Sequence, residues 1–299
     1  MISSMLLQQA LGVFNLSIPL IFLAYGNPTM FRSRTAIVLC SLAMGGYVGY
    51  LNYSGAQSQT RGLHYYPSQQ YQVAFDKEIS ACGLNPDTID IRYAYAGDGI
   101  AMAQLNTVII DPRMWKNIEH DAQVKSVYKL LEPVVAALPE NTKELHKKIN
   151  TMLTEDAQRF IFRHELGHIY HNYSIKKIII CGVIGACVAF VGIGVACLLM
   201  SYPIAAIMLG MLAGGTTDVC LSYSSNALFT YYEEKKADMF AARYSTAEEI
   251  HAAAQFFAAC QEISNEYKKE HMGLLAHLPQ AVASGHPDGA TRANYLMTV

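Results

Sequence analysis

The longest uninterrupted apolar stretch of the chain runs from Ile178 to Met200 and carries no charge. That length is enough for a helix to cross a bilayer. Lys176 and Lys177 stand just before it, where their stems can reach back to an interface. Ser201-Tyr202-Pro203 breaks the run, and a second apolar stretch goes from Ile204 toward Val219, weakened by Gly214-Gly215 and by Asp218. The pair predicts a transmembrane helical hairpin over residues 176–222, with both ends on one side and Asp218 at the interface. Two shorter apolar segments, about 10–25 and 36–51, make an N-terminal membrane region over residues 1–53. No positive stretch precedes the first, so a cleaved signal peptide is not expected.

Between these regions the pattern turns polar and predicts the first part of a folded domain over residues 54–175. Gln69 to Cys82 has helical periodicity and ends at Asn85-Pro86-Asp87. Thr88 to Ala96 alternates and is rich in Ile and Tyr, which predicts a strand, and Gly97-Asp98-Gly99 is a turn signal. Thr107 to Ile110 is a short buried strand stopped by Asp111-Pro112. Trp115 to Ala137 predicts a helix with a kink or break at Pro133, and a shorter helix follows to about Met152. Thr154 is a suitable N-cap for a helix running to about Tyr173, with Glu155 and Asp156 facing the positive end of its dipole. Residues 223–299 form the second part of the domain: a helix from about Leu228 to Tyr244, then one to about Lys269 opened by a Ser245–Glu248 capping box, then a loop at 285–289. The fold class is mainly α with a small β-sheet, α+β, joined to membrane-spanning helices.

Composition agrees with the membrane segments. Hydrophobic residues make up 52% and charged residues 15%, against a usual charged share of about 25%. Net charge is −2 and no Lys/Arg run is interleaved with aromatics, so nucleic acid is not an expected partner. The seven cysteines have no framework spacing and read as small buried hydrophobes.

The candidate chemistry is His164-Glu165-Leu166-Gly167-His168. On a helix, two histidines four apart share a face and can reach one metal ion, while Glu165 sits beside it as a general base. A catalytic zinc needs three protein ligands and one open position. The best third ligand is in Tyr232-Glu233-Glu234-Lys235-Lys236-Ala237-Asp238. Glu234 and Asp238 share a helix face, so Glu234 can bind the metal while Asp238 accepts a ligand histidine's ring N–H. Glu233 points about 100° away and is expected in solvent. His171 is read as structural or as supporting the site.

These elements, in this order, resemble the HtpX-like membrane zinc metalloproteases, relatives of the CAAX prenyl endopeptidases. The resemblance implies a zincin-like metalloprotease domain and one Zn²⁺ per chain on His164, His168 and Glu234, with Glu165 catalytic and Asp238 supporting. It extends to His286-Pro287 and Arg292, which implies that His286 or Arg292 stabilises the transition state or orders the site. It also implies that the strand around Asn106, Thr107, Val108 and Ile109 is an edge strand pairing with substrate backbone. The chain departs from the family at Asp98 to Ala103, where an Asn-Ala-Phe type segment is usual. It also lacks the arginine often found before the glutamate motif.

The implied activity is zinc-dependent hydrolysis of peptide bonds in membrane or membrane-proximal proteins. Two other readings stay open. An intramembrane site-2-type protease would take Asp218 as third ligand, although Arg159, Arg163 and Asn172 around the motif place its helix outside hydrocarbon. A zinc-holding scaffold would lack catalysis. Arg32 and Arg34 pull the first loop toward the cytoplasm, whereas Arg61, Lys176, Lys177, Lys235 and Lys236 pull the catalytic side there. The count favours a multi-pass protein with a cytoplasmic catalytic domain.

Overall fold

The computed structural model describes residues 34–61, 65–94, 100–115, 118–136, 140–198, 203–271 and 287–298. The expected segment at 10–25 and the turn at Gly97-Asp98-Gly99 lie outside them. The elements are α1 (Arg34–Arg61), α2 (Gln69–Ala81), β1 (Asp90–Tyr93), β2 (Ala101–Gln104), β3 (Thr107–Ile110), α3 (Ala122–Ala136), α4 (Glu140–Met152), α5 (Glu155–Tyr170), α6 (Tyr173–Leu198), α7 (Pro203–Tyr244), α8 (Ala247–His271) and α9 (Gly289–Leu296). The chain is mainly helical with one small sheet, as its pattern predicts. Two compact units interleave in sequence: residues 34–55 with Ile175–Phe229, and Ala56–Ser174 with Thr230–Val299.

The first unit is built on small residues. A Cβ added to Gly45 would lie 2.5 Å from the carbonyl oxygen of Gly182, so α1 and α6 meet backbone to backbone. Met44, Ala189 and Ile193 form the buried cluster beside that contact. Leu39, Leu42, Ile179, Val183, Phe190 and Leu212 are exposed. Small residues inside and large apolar ones outside is the arrangement of helices packed in lipid. Among the described residues one helix, Tyr173–Leu198, is long and apolar enough to cross a membrane. The second apolar limb is the start of α7, and the separation expected before a new helix near Leu228 is absent. Each glycine costs a helix only about 1 kcal/mol, and Thr216 and Thr217 bond back to the carbonyls of Leu212 and Ala213, so the helix continues.

In the second unit the sheet order is β1-β3-β2, with β1 parallel and β2 antiparallel to β3. This corrects the edge-strand expectation. Thr107, Val108 and Ile109 lie in the central strand, buried on both faces, and Asn106 lies in the turn whose carbonyl accepts from Asp90 N–H at 2.9 Å. A continuous apolar run is what a strand covered on both faces requires. The edge beside it is β2, whose Ala-Met-Ala-Gln carries no β-branched signal. Asp111 N–H donates to the Ile100 carbonyl at 3.1 Å, so Ile100, Met102 and Gln104 face β3, whereas Ala101 and Ala103 turn their backbone groups outward. Leu105 takes a positive φ of 53° in the two-residue turn that joins β2 to β3.

α3 starts later than expected because Asp121 caps it. Its Oδ1 accepts from Gln123 N–H at 3.0 Å, and its Oδ2 takes Ser68 N–H and the Tyr93 hydroxyl. Trp115 is buried in the core instead, and Pro133 is carried inside the helix without ending it. The capping box of α8 is Thr246–Glu249, one residue later than expected. Thr246 N–H donates to Glu249 Oε2 at 2.8 Å, and Glu249 N–H donates to Thr246 Oγ1 at 3.3 Å.

α5 is the axis of this unit. Thr154 Oγ1 caps it at Ala157 N–H, and from Ala157 to His168 every residue except Arg159 is buried. Phe162 and Leu166 join Phe75, Ile91, Ile110 and Phe240 on one side. Phe160 and Ile161 join Ala241, Ala253 and Phe257 on the other. Arg163 is buried yet paired: Nε donates to Glu78 Oε1 at 2.5 Å, and Nη1 donates to Glu249 Oε2 at 2.5 Å and Ser245 Oγ at 3.0 Å.

Gly167 sets the distance between α5 and α7, since a Cβ there would lie 2.9 Å from Ala237 Cα and 3.1 Å from its carbonyl oxygen. Backbone cannot yield as a side chain can. Gly167→Val therefore lowers stability by about 1–3 kcal/mol through overpacking, seen as a lower thermal midpoint for detergent-purified protein; an unchanged midpoint would contradict this packing.

Candidate metal centre

His164 and His168 lie one turn apart on α5, and their Nε2 atoms approach to 3.1 Å. Glu234, from α7, meets both: Oε2 is 3.4 Å from His164 Nε2, and Oε1 is 3.3 Å from His168 Nε2. The three donor atoms lie within 4.8 Å of one another and all three residues are buried. Two imidazoles and one carboxylate turned toward a common point make a donor set that fits zinc. The group is complete without Asp218.

Asp238, one turn beyond Glu234, orients the first histidine. His164 Nδ1 lies 2.8 Å from Asp238 Oδ1, which leaves Nε2 turned toward Glu234 and His168. Helix α9 supplies two further donors to the same carboxylate. Arg292 reaches Oδ2 through Nε at 2.9 Å and Oδ1 through Nη2 at 2.5 Å, and the Tyr295 hydroxyl donates to Oδ2. Burial works against the charge on Asp238, but Arg292 and His164 outweigh it and hold the carboxyl down at about 2. Burial also opposes a charge on His164, yet Asp238 and Glu234 outweigh it and lift the metal-free imidazole to about 10. Arg292 is raised further by the same carboxylates, although burial opposes its charge too.

Glu165 follows His164 on α5 and is buried. Its Oε2 accepts from Ala103 N–H at 2.6 Å, so the outward backbone of β2 and the glutamate of the motif are in direct contact. This bond joins the sheet to the site, and it comes from β2 rather than from the strand expected at 106–109.

Other expected residues are distributed as follows. Arg292 is engaged by Asp238, with Nη1 3.9 Å from Glu234 Oε2. His286 lies outside the described residues. Glu233 is not in solvent as expected: it is 3% exposed and accepts from Lys236 Nζ at 3.0 Å. His171 caps the end of α5, and its ring meets Phe240. The C-terminal sequence pattern signals only the loop at 285–289 and gives no sign of Tyr295, whose spacing from Arg292 puts both on one face of the short helix α9. Asp288 caps that helix at Thr291 N–H, 2.7 Å.

This donor set is of the kind a metal-dependent hydrolase uses. The model of peptidase family M48 matches residues 137–299. The chain belongs to that family, the metallopeptidases that include HtpX and the CAAX prenyl endopeptidases. No curated protein and no solved structure matches the chain.

Removing the carboxylate at the centre tests the donor set. Glu234→Ala loses bound zinc. Asp238→Asn keeps it with affinity lowered about 10–100-fold, the usual cost of losing a partner behind a ligand histidine. Competition against a chelating dye measures both; wild-type affinity in Glu234→Ala would remove that residue from the site.

Proposed function

We propose that the chain is a membrane-anchored zinc endopeptidase that hydrolyses peptide bonds of membrane or membrane-proximal proteins. The observation that carries this reading is the buried His164–His168–Glu234 group, with Glu165 next to His164 in the same helix. His164, His168 and Glu234 would hold one zinc ion per chain. When bound, zinc supplies Lewis-acid polarisation of the scissile carbonyl and makes a water molecule more acidic.

The protein's own groups do the rest. Glu165 accepts the proton of the attacking water and passes it to the leaving amine. Asp238 fixes the tautomer of His164, and Arg292 and Tyr295 keep Asp238 in place. Arg292 thus orders the site rather than facing the reacting carbonyl. The outward backbone of β2, through the Ala101 N–H and the carbonyls of Ala101 and Ala103, is suited to accept an extended substrate as an added strand. Recognition through main-chain bonds tolerates varied side chains.

The first unit supports the anchor: its apolar side chains are exposed where a water-soluble protein would bury them. One helix has the length and apolarity of a span. A multi-pass protein with a cytoplasmic catalytic side is the reading that the Lys/Arg distribution favours. The intramembrane alternative loses support because Glu234 completes the donor set.

Two variants test the mechanism in detergent with casein as substrate. Glu165→Gln keeps one zinc per chain and loses cleavage by about 10²–10⁴-fold, the usual worth of a general base. Full cleavage with zinc bound would refute the role of Glu165. Ala101→Pro removes an outward N–H without breaking a ladder bond, which an edge strand tolerates. It lowers kcat/KM about tenfold, the worth of one hydrogen bond, with zinc retained; unchanged kcat/KM would exclude β2 as the substrate edge.

A further inference from the structure

An open groove of about 450 Å³ lies between α7 and the end of α5. Its cations are Lys235, Lys236 and Arg243, and its rings include Tyr170, Tyr231 and Tyr232; no carboxylate lines it. Glu233 offsets Lys236 at 3.0 Å. Among the described residues neither Lys235 nor Arg243 has a carboxylate partner. Lys236 Nζ stands 4.2 Å over the Tyr232 ring, so cation and aromatic ring form one surface.

We propose that this groove binds the headgroup of an anionic phospholipid. The inference rests on the membrane-anchored reading above and goes beyond it, because anchoring alone requires no headgroup site. Two cations without a carboxylate partner, Arg243 and Lys235 (whose Nζ stands 5.7 Å from the Tyr295 ring centroid), call for an anionic ligand. The rim calls for an amphipathic one: Tyr170, Tyr231, Tyr232 and Met239 are all exposed around the groove. A small aqueous anion would leave that rim in water, whereas tyrosine with lysine or arginine is the composition that sits at a membrane–water interface. The groove residues also flank the apolar stretch in sequence. Tyr170 and His171 precede Lys176-Lys177 and the run from Ile178, and Tyr231 to Arg243 follow the second apolar limb. An acidic peptide suits the site less well. Both walls are helices, whose main-chain groups are bonded internally and offer an extended chain no strand edge.

The test uses the full chain in uncharged detergent micelles, titrated with dihexanoyl phosphatidylglycerol, dihexanoyl phosphatidylcholine, inorganic phosphate and a hepta-glutamate peptide. The concentration giving half the shift in thermal midpoint reports binding. Phosphatidylglycerol binds at least tenfold more tightly than phosphatidylcholine. Arg243→Glu loses that preference, while zinc per chain and casein cleavage stay at wild-type levels. Tyr232→Ala, which leaves the charges in place, weakens phosphatidylglycerol binding and serves if the charge variant misfolds. Equal binding of the two lipids, or a preference that survives in the variants, overturns the proposal. So does phosphate acting alone as well as phosphatidylglycerol, which marks a small-anion site, or hepta-glutamate competing equally, which marks a peptide groove. Alkaline carbonate extraction of membranes holding the wild-type chain separates the two readings. Release from the membrane refutes the anchor itself, whereas retention without lipid preference refutes only the headgroup site.

Discussion

The contact of Gly167 with Ala237 is the constraint on which the centre depends. Two helices distant in sequence meet there with no side chain between them. At that separation Glu234 and Asp238, flanking Ala237 on α7, fall opposite His164 and His168, flanking Gly167 on α5. Each carboxylate takes a different part of the same pair: Glu234 meets both Nε2 atoms, and Asp238 takes the far side of His164. Helix spacing of four on both partners makes the match possible. The missing side chain at 167 brings it within bonding distance.

So many buried charges would be costly alone, and the structure pairs them in two groups. Arg292 and Tyr295 join Asp238 and His164 around the candidate donor group. Arg163 joins Glu78 and Glu249 on the opposite side of α5. Breaking such a pair by removing one partner costs several kcal/mol, because the other charge is left buried. The motif helix is therefore tied on both flanks to elements far away in the chain, α2 and α8 on one and α7 and α9 on the other. That fixation lets an imidazole and a carboxylate be held ready without a large movement.

The two units bury opposite kinds of surface. In the second, Phe, Ile and Leu fill the interior around α5 and the sheet. In the first, glycine and alanine make the helix contacts and the larger apolar side chains face outward. The first pattern is driven by water. The second gains from close backbone packing where the surroundings are themselves apolar.

Much of this was legible in the chain. The periodicity of 69–81, the Thr154 cap, the motif spacing and the Glu234/Asp238 pair depend only on neighbours within one or two helical turns, and local patterns report such features well. The apolar run from Ile178 is likewise a property of composition. Other features depended on partners remote in sequence. Val108 and its neighbours carry the strongest strand signal because they are buried on both faces, and for that reason they are the centre of the sheet and not its edge. β2 became a strand through pairing with β3, without a preference of its own. Glu233 looked solvated on a helical wheel but is covered in the packed domain. Tyr295 and Arg292 matter only because α9 brings them to Asp238. The sequence by itself determined which residues could hold a metal, since that needs only a repeat of four on a helix. Tertiary structure decided which strand edge faces them and which side chains hold them still, since both require contacts between segments whose separation no local pattern records.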